Sequence, residues 1–155
     1  MSGAGVEQLL YLMDAAFEAD DWHSMLGNLR SVRAEDWTWR PEGGGRSIAL
    51  IAGHVAAAKV IYDSHTFGNG QLGWSDPTLT QQRSLEETIA WLREGHAALR
   101  ERVAALDDGE LLKPRRVHWG EQIATRDIIR ILINHDVYHA GEINHIRALH
   151  QGDDR

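Results

Sequence analysis

The run His135-Asp136-Val137-Tyr138-His139, near the C-terminus, constrains this chain more than any other stretch. It falls inside a helical pattern expected from Ile128 to Leu149. Residues four apart lie about 40° apart around an α-helix, so both imidazoles can reach one ion. Ile128, Ile131 and Leu132 precede the pair on that face, and Ile146 and Leu149 follow it. The histidines therefore point toward a protein interior. An inward polar group left unpaired costs on the order of 1–3 kcal/mol. Hydrogen bonds within the core would remove that cost, and so would a metal ion. Glu142 shares the stripe.

Composition closes several other routes. The chain of 155 residues contains no cysteine, which excludes thiolate metal sites, disulfides and a cysteine nucleophile. Its formal charge of −7 leaves no electrostatic footprint for nonspecific nucleic-acid binding. The length suits a single domain, 1–155, with residues 1–5 expected to be flexible. No apolar run approaches the roughly 18 residues of a membrane span, and Met1-Ser2-Gly3-Ala4-Gly5 is not a signal pattern. A cytoplasmic protein without membrane contact is the expectation. Nine histidines and six tryptophans fit a lined polar cavity.

In chain order, Val6, Leu9, Leu10, Met13 and Phe17 recur at helical spacing, and Trp22, Met25, Leu26 and Leu29 resume the stripe up to about Val32. Asp20-Asp21 interrupts it, as a bend or as a new cap. The segment from Glu35 to Arg46 reads as a connection held down by Trp37 and Trp39. Its Gly43-Gly44-Gly45 run lacks the rest of a phosphate-binding pattern. Ser47 is placed to cap a second helix, Ile48 to about His65, whose inward stripe is Leu50, Ile51, His54, Ala57, Ala58 and Ile61. His65 lies about 16 Å along the axis from His54, too far to share an ion with it. Phe67-Gly68-Asn69-Gly70 stops the helix, and a polar stretch with Trp74 and Pro77 follows. Ser84 and Glu87 form a capping box for a third helix through Ile89, Leu92, His96, Leu99 and Val103 to about Leu106. A connection from Glu110 to Gln122 holds Pro114, His118, Trp119 and Gly120. Thr125 or Asp127 caps the last helix, and Gly152 lies just past its end.

No segment alternates with period two, so the expected fold is all-α: a four-helix bundle with long connections after helices 1, 2 and 3. Metal sites in such bundles are built from side chains on facing helices. His54 with His135 and His139 makes a three-nitrogen set that leaves a coordination position open, as catalytic sites do. All-nitrogen ligation suits Zn²⁺, Ni²⁺, Cu²⁺ or Fe²⁺. Glu142 and Asp136 are the nearby carboxylates able to orient such ligands, but Asp136 points about 100° off the ligand face and reads as a surface carboxylate. A peptidase reading of His135-Asp136-x-x-His139 fails. The base would be one methylene short, the turning glycine is at 141 instead of 142, and His145 lies 80–120° off the other two on a continuous helix by about 100° per residue.

Two segments together resemble the DinB-like family: Trp37 to Ile48 continuing through Ala52-Gly53-His54-Val55, and His135-Asp136-Val137-Tyr138-His139-Ala140-Gly141-Glu142-Ile143. The resemblance runs from about Leu10 to Leu149. It implies an antiparallel four-helix bundle, often a homodimer, with a divalent metal on His54, His135 and His139. Glu142 departs from it, since many relatives carry Gln there. Some relatives are S-transferases or isomerases that use low-molecular-weight thiols, which points to a metal-dependent, thiol-dependent transferase with zinc or nickel as first choices and a small-molecule substrate. A non-catalytic metal- or ligand-binding stress-response module is the alternative, and a structural bundle with hydrogen-bonded histidines is a third. Catalytic residues and a binding site for the rest of the thiol are not identified by the sequence. His65, Trp74, His118 and Trp119 are candidates for lining a pocket.

Overall fold

Side-chain caps set where most helices of the computed structural model begin; it describes residues 3–153. The first helix, α1 (Ala4–Phe17), starts two residues before Val6. Gly3 offers no side-chain cap, and a distant carboxylate takes its place: Asp108 accepts from the Gly5 and Val6 amides at 3.1 and 2.9 Å. Of the 1–5 segment expected to be flexible, Met1 and Ser2 lie outside the described residues, whereas Ala4 and Gly5 are helical. The break after Phe17 resolves as a turn plus a new cap. Asp20 accepts from the amides of Trp22 and His23, both at 2.7 Å, while Ser24 caps α2 (Met25–Leu29). A Cβ at Gly27 would collide with the Asp20 carbonyl, so this tight corner requires glycine. Trp22, expected on the inward stripe, is carried out to the surface by the turn.

Helix α3 (Ile48–Phe67) is capped by Ser47 as expected. A four-residue helix, α4 (Pro77–Thr80), follows with Asp76 as its cap, inside the polar stretch that holds Trp74 and Pro77. Helix α5 (Leu85–Ala104) opens with the complete Ser84–Glu87 capping box. After a 3₁₀ turn at Asp108–Leu112 comes a feature the sequence did not announce: strands β1 (Pro114–Arg116) and β2 (Gln122–Ala124), paired antiparallel with Arg115 opposite Ile123. Three residues per strand are too few to display an alternating pattern, and Gly120, at φ 93°, supplies the left-handed turn residue. The last helix, α6 (Thr125–Gln151), is longer than expected at both ends. Neither Thr125 nor Asp127 is its N-cap. Ala124 holds that position without a side-chain bond, and Thr125 instead donates its hydroxyl to the Lys113 carbonyl at 2.8 Å, so the hairpin anchors the helix start. Gly152, in the left-handed conformation, ends it.

The fold is predominantly helical. Helices α1 and α3 each pack against both α5 and α6, and α2 packs on α6. One core cluster gathers Phe17, Met25, Leu29, Ile51, Val55, Leu92 and Ile143; a second gathers Val6, Met13, Leu99, Val103, Ile128 and Leu132. Fully burying each large apolar side chain is worth about 1.5–3 kcal/mol, and the caps merely choose where those stripes start. Two further residues assigned to inward stripes, Leu50 and Leu149, are instead exposed, because they lie to the side of the packed face, whereas Ile48, Ile51 and Ile146 beside them are buried. Among the described residues, no helix is long and apolar enough to cross a membrane.

Candidate metal centre

Helix α3 contributes His54, and α6 contributes His135 and His139 from adjacent turns of one face. Their Nε2 atoms converge: His135 Nε2 lies 3.0 Å from that of His54 and 3.1 Å from that of His139. One nitrogen from each residue falls within a group whose members are all within 4.8 Å of one another. Three nitrogens placed ~2.0–2.1 Å from a tetrahedral ion are about 3.3 Å apart, and the two separations of 3.0 and 3.1 Å come within a few tenths of an ångström of that.

The surroundings fix the protonation of one ligand. Glu142 Oε1 lies 2.9 Å from His139 Nδ1, and Arg46 donates to both oxygens of the same carboxylate at 2.9 and 3.2 Å. Burial raises the Glu142 pKa, but the bonds from His139 and Arg46 outweigh it and leave the group below its usual range. An ionised carboxylate only accepts, so His139 Nδ1 carries the proton in that contact and Nε2 is the atom turned toward the other two histidines. Burial, reinforced by the neighbouring imidazoles, depresses His54 to about 4 and His135 to about 3. Both are neutral near pH 7. A ring nitrogen offers either one N–H or one lone pair, so His135 Nε2 cannot form a full hydrogen bond with both His54 Nε2 and His139 Nε2 at once. A cation meets that need, and the carboxylate-histidine contact behind His139 is the usual second partner of a metal-bound imidazole.

The aromatic residues read as pocket candidates lie beside this centre in sequence of contact. Trp74 stacks on His54 with ring centroids 4.9 Å apart, and His118 meets Trp74 edge-on at 5.6 Å. Trp119 contacts His118 at 5.0 Å, and Tyr62 joins them at 5.3 Å from His118. His65 stays in edge contact with His118 at 6.4 Å and bonds through Nε2 to the Leu72 carbonyl at 2.8 Å, in the loop that leads to Trp74. His145 is exposed and takes no part.

Asp136 is not a surface carboxylate. It is 3% exposed and its Oδ2 accepts from Lys59 Nζ at 2.7 Å, forming a buried ion pair between α6 and α3 beside the histidines. The 100° offset from the ligand face directs it between the helices, because α6 is covered on more than one side. Lys59 passes over the ring of Phe17 at 5.1 Å, and Gly95 on α5 makes room for its stem, since a Cβ there would lie 3.0 Å from Lys59 Cβ. A signal for this pair was available. Lys59 is the one charged residue in an otherwise apolar run from Ile48 to Tyr62, apart from the histidine. Arg46, also missed, is delivered by the connection that Trp37 and Trp39 pin. Trp37 Nε1 donates to the Arg83 carbonyl at 3.1 Å, and Trp39 stacks on His150.

A histidine trio spanning two helices of a mainly helical fold defines a class of helical proteins with a candidate three-histidine metal centre. The family description of the DinB superfamily matches residues 19–143, and the chain belongs to that superfamily. A DinB-like protein from Bacillus cereus ATCC 10987 superposes with a TM-score of 0.68 at 15% identity, over 96% of this chain and 91% of the other, which is a likeness of fold. No curated protein matches.

Proposed function

We propose that His54, His135 and His139 hold one divalent transition metal, with zinc and nickel as first choices, and that the chain is a metal-dependent enzyme acting on a small molecule. The observation that carries this reading is the convergence of three Nε2 atoms, of which the central one, on His135, cannot bond fully to both others. When bound, the metal would lower the pKa of a coordinated thiol or water and so supply a nucleophile at neutral pH. Transfer to or from a low-molecular-weight thiol is favoured over hydrolysis. Glu142, the carboxylate bonded to the histidine set, is committed to His139 and Arg46 and is not free to act as a general base. A thiol activated by the metal needs no such base. Trp74, stacked on His54, would form one wall for the incoming substrate. The four longer helices would act as an antiparallel bundle, with homodimerisation an expectation carried from the family resemblance.

Elemental analysis of untagged protein purified without chelator, wild type beside His54→Ala, tests the reading. About one equivalent of a transition metal in the wild type and none in the variant is the expected result. Absence of metal from both after reconstitution would return the histidines to core packing. Metal without turnover across thiols and electrophiles would leave a binding module.

A further inference from the structure

On another side of α3 lies a cavity of about 520 Å³, and none of the three histidines lines it. That volume falls within the range of small-molecule sites, roughly 300–1,000 Å³. It is bounded by the 38–47 connection, the start of α3, α4 and the start of α5. Its apolar surface comes from Leu50, Leu79 and Trp91, and its polar surface includes Thr88. Two guanidinium groups, Arg40 and Arg83, line it, and no carboxylate among the described residues does. In a chain of net charge −7 this is a local reversal of sign.

The two arginines differ in how they are held. Arg83 is fixed by donating to the carbonyls of Gln81 and Thr78 at 3.1 and 2.7 Å, and it lies over the Trp91 ring at 3.8 Å. Those acceptors are neutral, so its charge is not cancelled. Arg40 has no hydrogen-bond or ion-pair partner among the described residues and is free to close on a ligand at the rim. Leu50, which the helical stripe placed in the core, is 47% exposed and faces this space. A concave site with an apolar floor, an aromatic wall and two cations without a counter-charge selects an organic anion.

We infer that this cavity binds a small carboxylate with a planar apolar body, at a site separate from the histidine centre. Its carboxylate pairs with Arg40 and with Arg83, which already covers one face of Trp91, and its body lies against Leu50 and Leu79. None of the three histidines lines this cavity, so its occupancy is independent of metal at the histidine centre.

Calorimetric titration of the metal-free full-length protein with 2-naphthoate, and with the neutral 2-naphthalenemethanol, tests it. We expect 1:1 binding of the acid with Kd below ~1 mM, and at least about tenfold weaker binding of the alcohol. Arg40→Ala, an exposed position without contacts to lose, is expected to weaken the acid about tenfold, and Arg40→Glu to abolish binding. His135→Ala is expected to bind as the wild type does. Equal affinity for acid and alcohol would overturn the assignment of an anion site. Loss of acid binding in His135→Ala would place the ligand at the histidines. No heat of binding up to about 10 mM acid would eliminate the site.

Discussion

Helices α3 and α6 are joined by two polar contacts that lie almost side by side, and they are opposite in character. Lys59 and Asp136 cancel each other's charge at 2.7 Å and are sealed from water. His54, His135 and His139 bring like groups together, partly open to solvent, with no complement among themselves. A buried pair whose charges cancel is structural, even with Asp136 Oδ1 left without a hydrogen-bond partner. A converging set that does not is built for something else to enter.

Breaking the closed pair is expected to have the largest effect. Asp136→Asn leaves the Lys59 charge buried without its counter-ion and should cost about 3–5 kcal/mol in urea unfolding. Replacing both partners, Lys59→Met with Asp136→Leu, should restore most of that loss. A small loss in the single variant would mean that water reaches Lys59 and that the two regions are less different than drawn. At the open set the expected effect is on affinity. Glu142→Ala removes the acceptor behind His139 and should weaken metal binding about 10–100-fold in a competition titration, with little change in the unfolding of metal-free protein. Glu142→Gln, which keeps an acceptor oxygen, should recover most of it. Equal losses in both variants would mean that the charge matters more than the hydrogen bond.

The smallest effect is on pH dependence, and its sign is determined by burial. In the metal-free protein His54 and His135 titrate at about 4 and about 3, below the ordinary value of 6.5. As pH falls below 6.5, the unfolded chain takes up protons that the folded chain refuses, so stability falls with pH until those lower values are reached. Unfolding followed from pH 7 to pH 4 should show this decline, and His135→Ala should reduce it. An unperturbed imidazole ligand begins to lose its metal to protons as pH falls below about 6. For these two ligands proton competition is delayed to lower pH. An unchanged slope in His135→Ala would show that its imidazole is not the buried neutral group described.

Much of this was legible in the sequence where the signal is local and periodic. The Ser84–Glu87 box, the Ser47 cap, the stripe carrying His54 and the i, i+4 pair all follow from helical geometry and short-range hydrogen bonding. What escaped depends on contacts across long separations. Asp136 was misread because a helix surrounded on several sides buries more than one stripe. The hairpin at Pro114–Ala124 was invisible because its strands are shorter than the pattern that reveals strands. Trp74 has no periodic context, and only the folded loop places its ring on His54.

The unequal sharing of the histidines also has a mechanical consequence. Two of them are fixed relative to each other by a single turn of α6, so their spacing is as stiff as the helix. Only the gap to His54 can widen or narrow, and that gap is the distance between two helix axes. The Lys59–Asp136 contact spans the same gap and acts as a tie-rod across it. An ion of different preferred bond length would thus be accommodated by hinging α3 against that tie, and the strength of a buried ion pair would set how much size variation the centre tolerates.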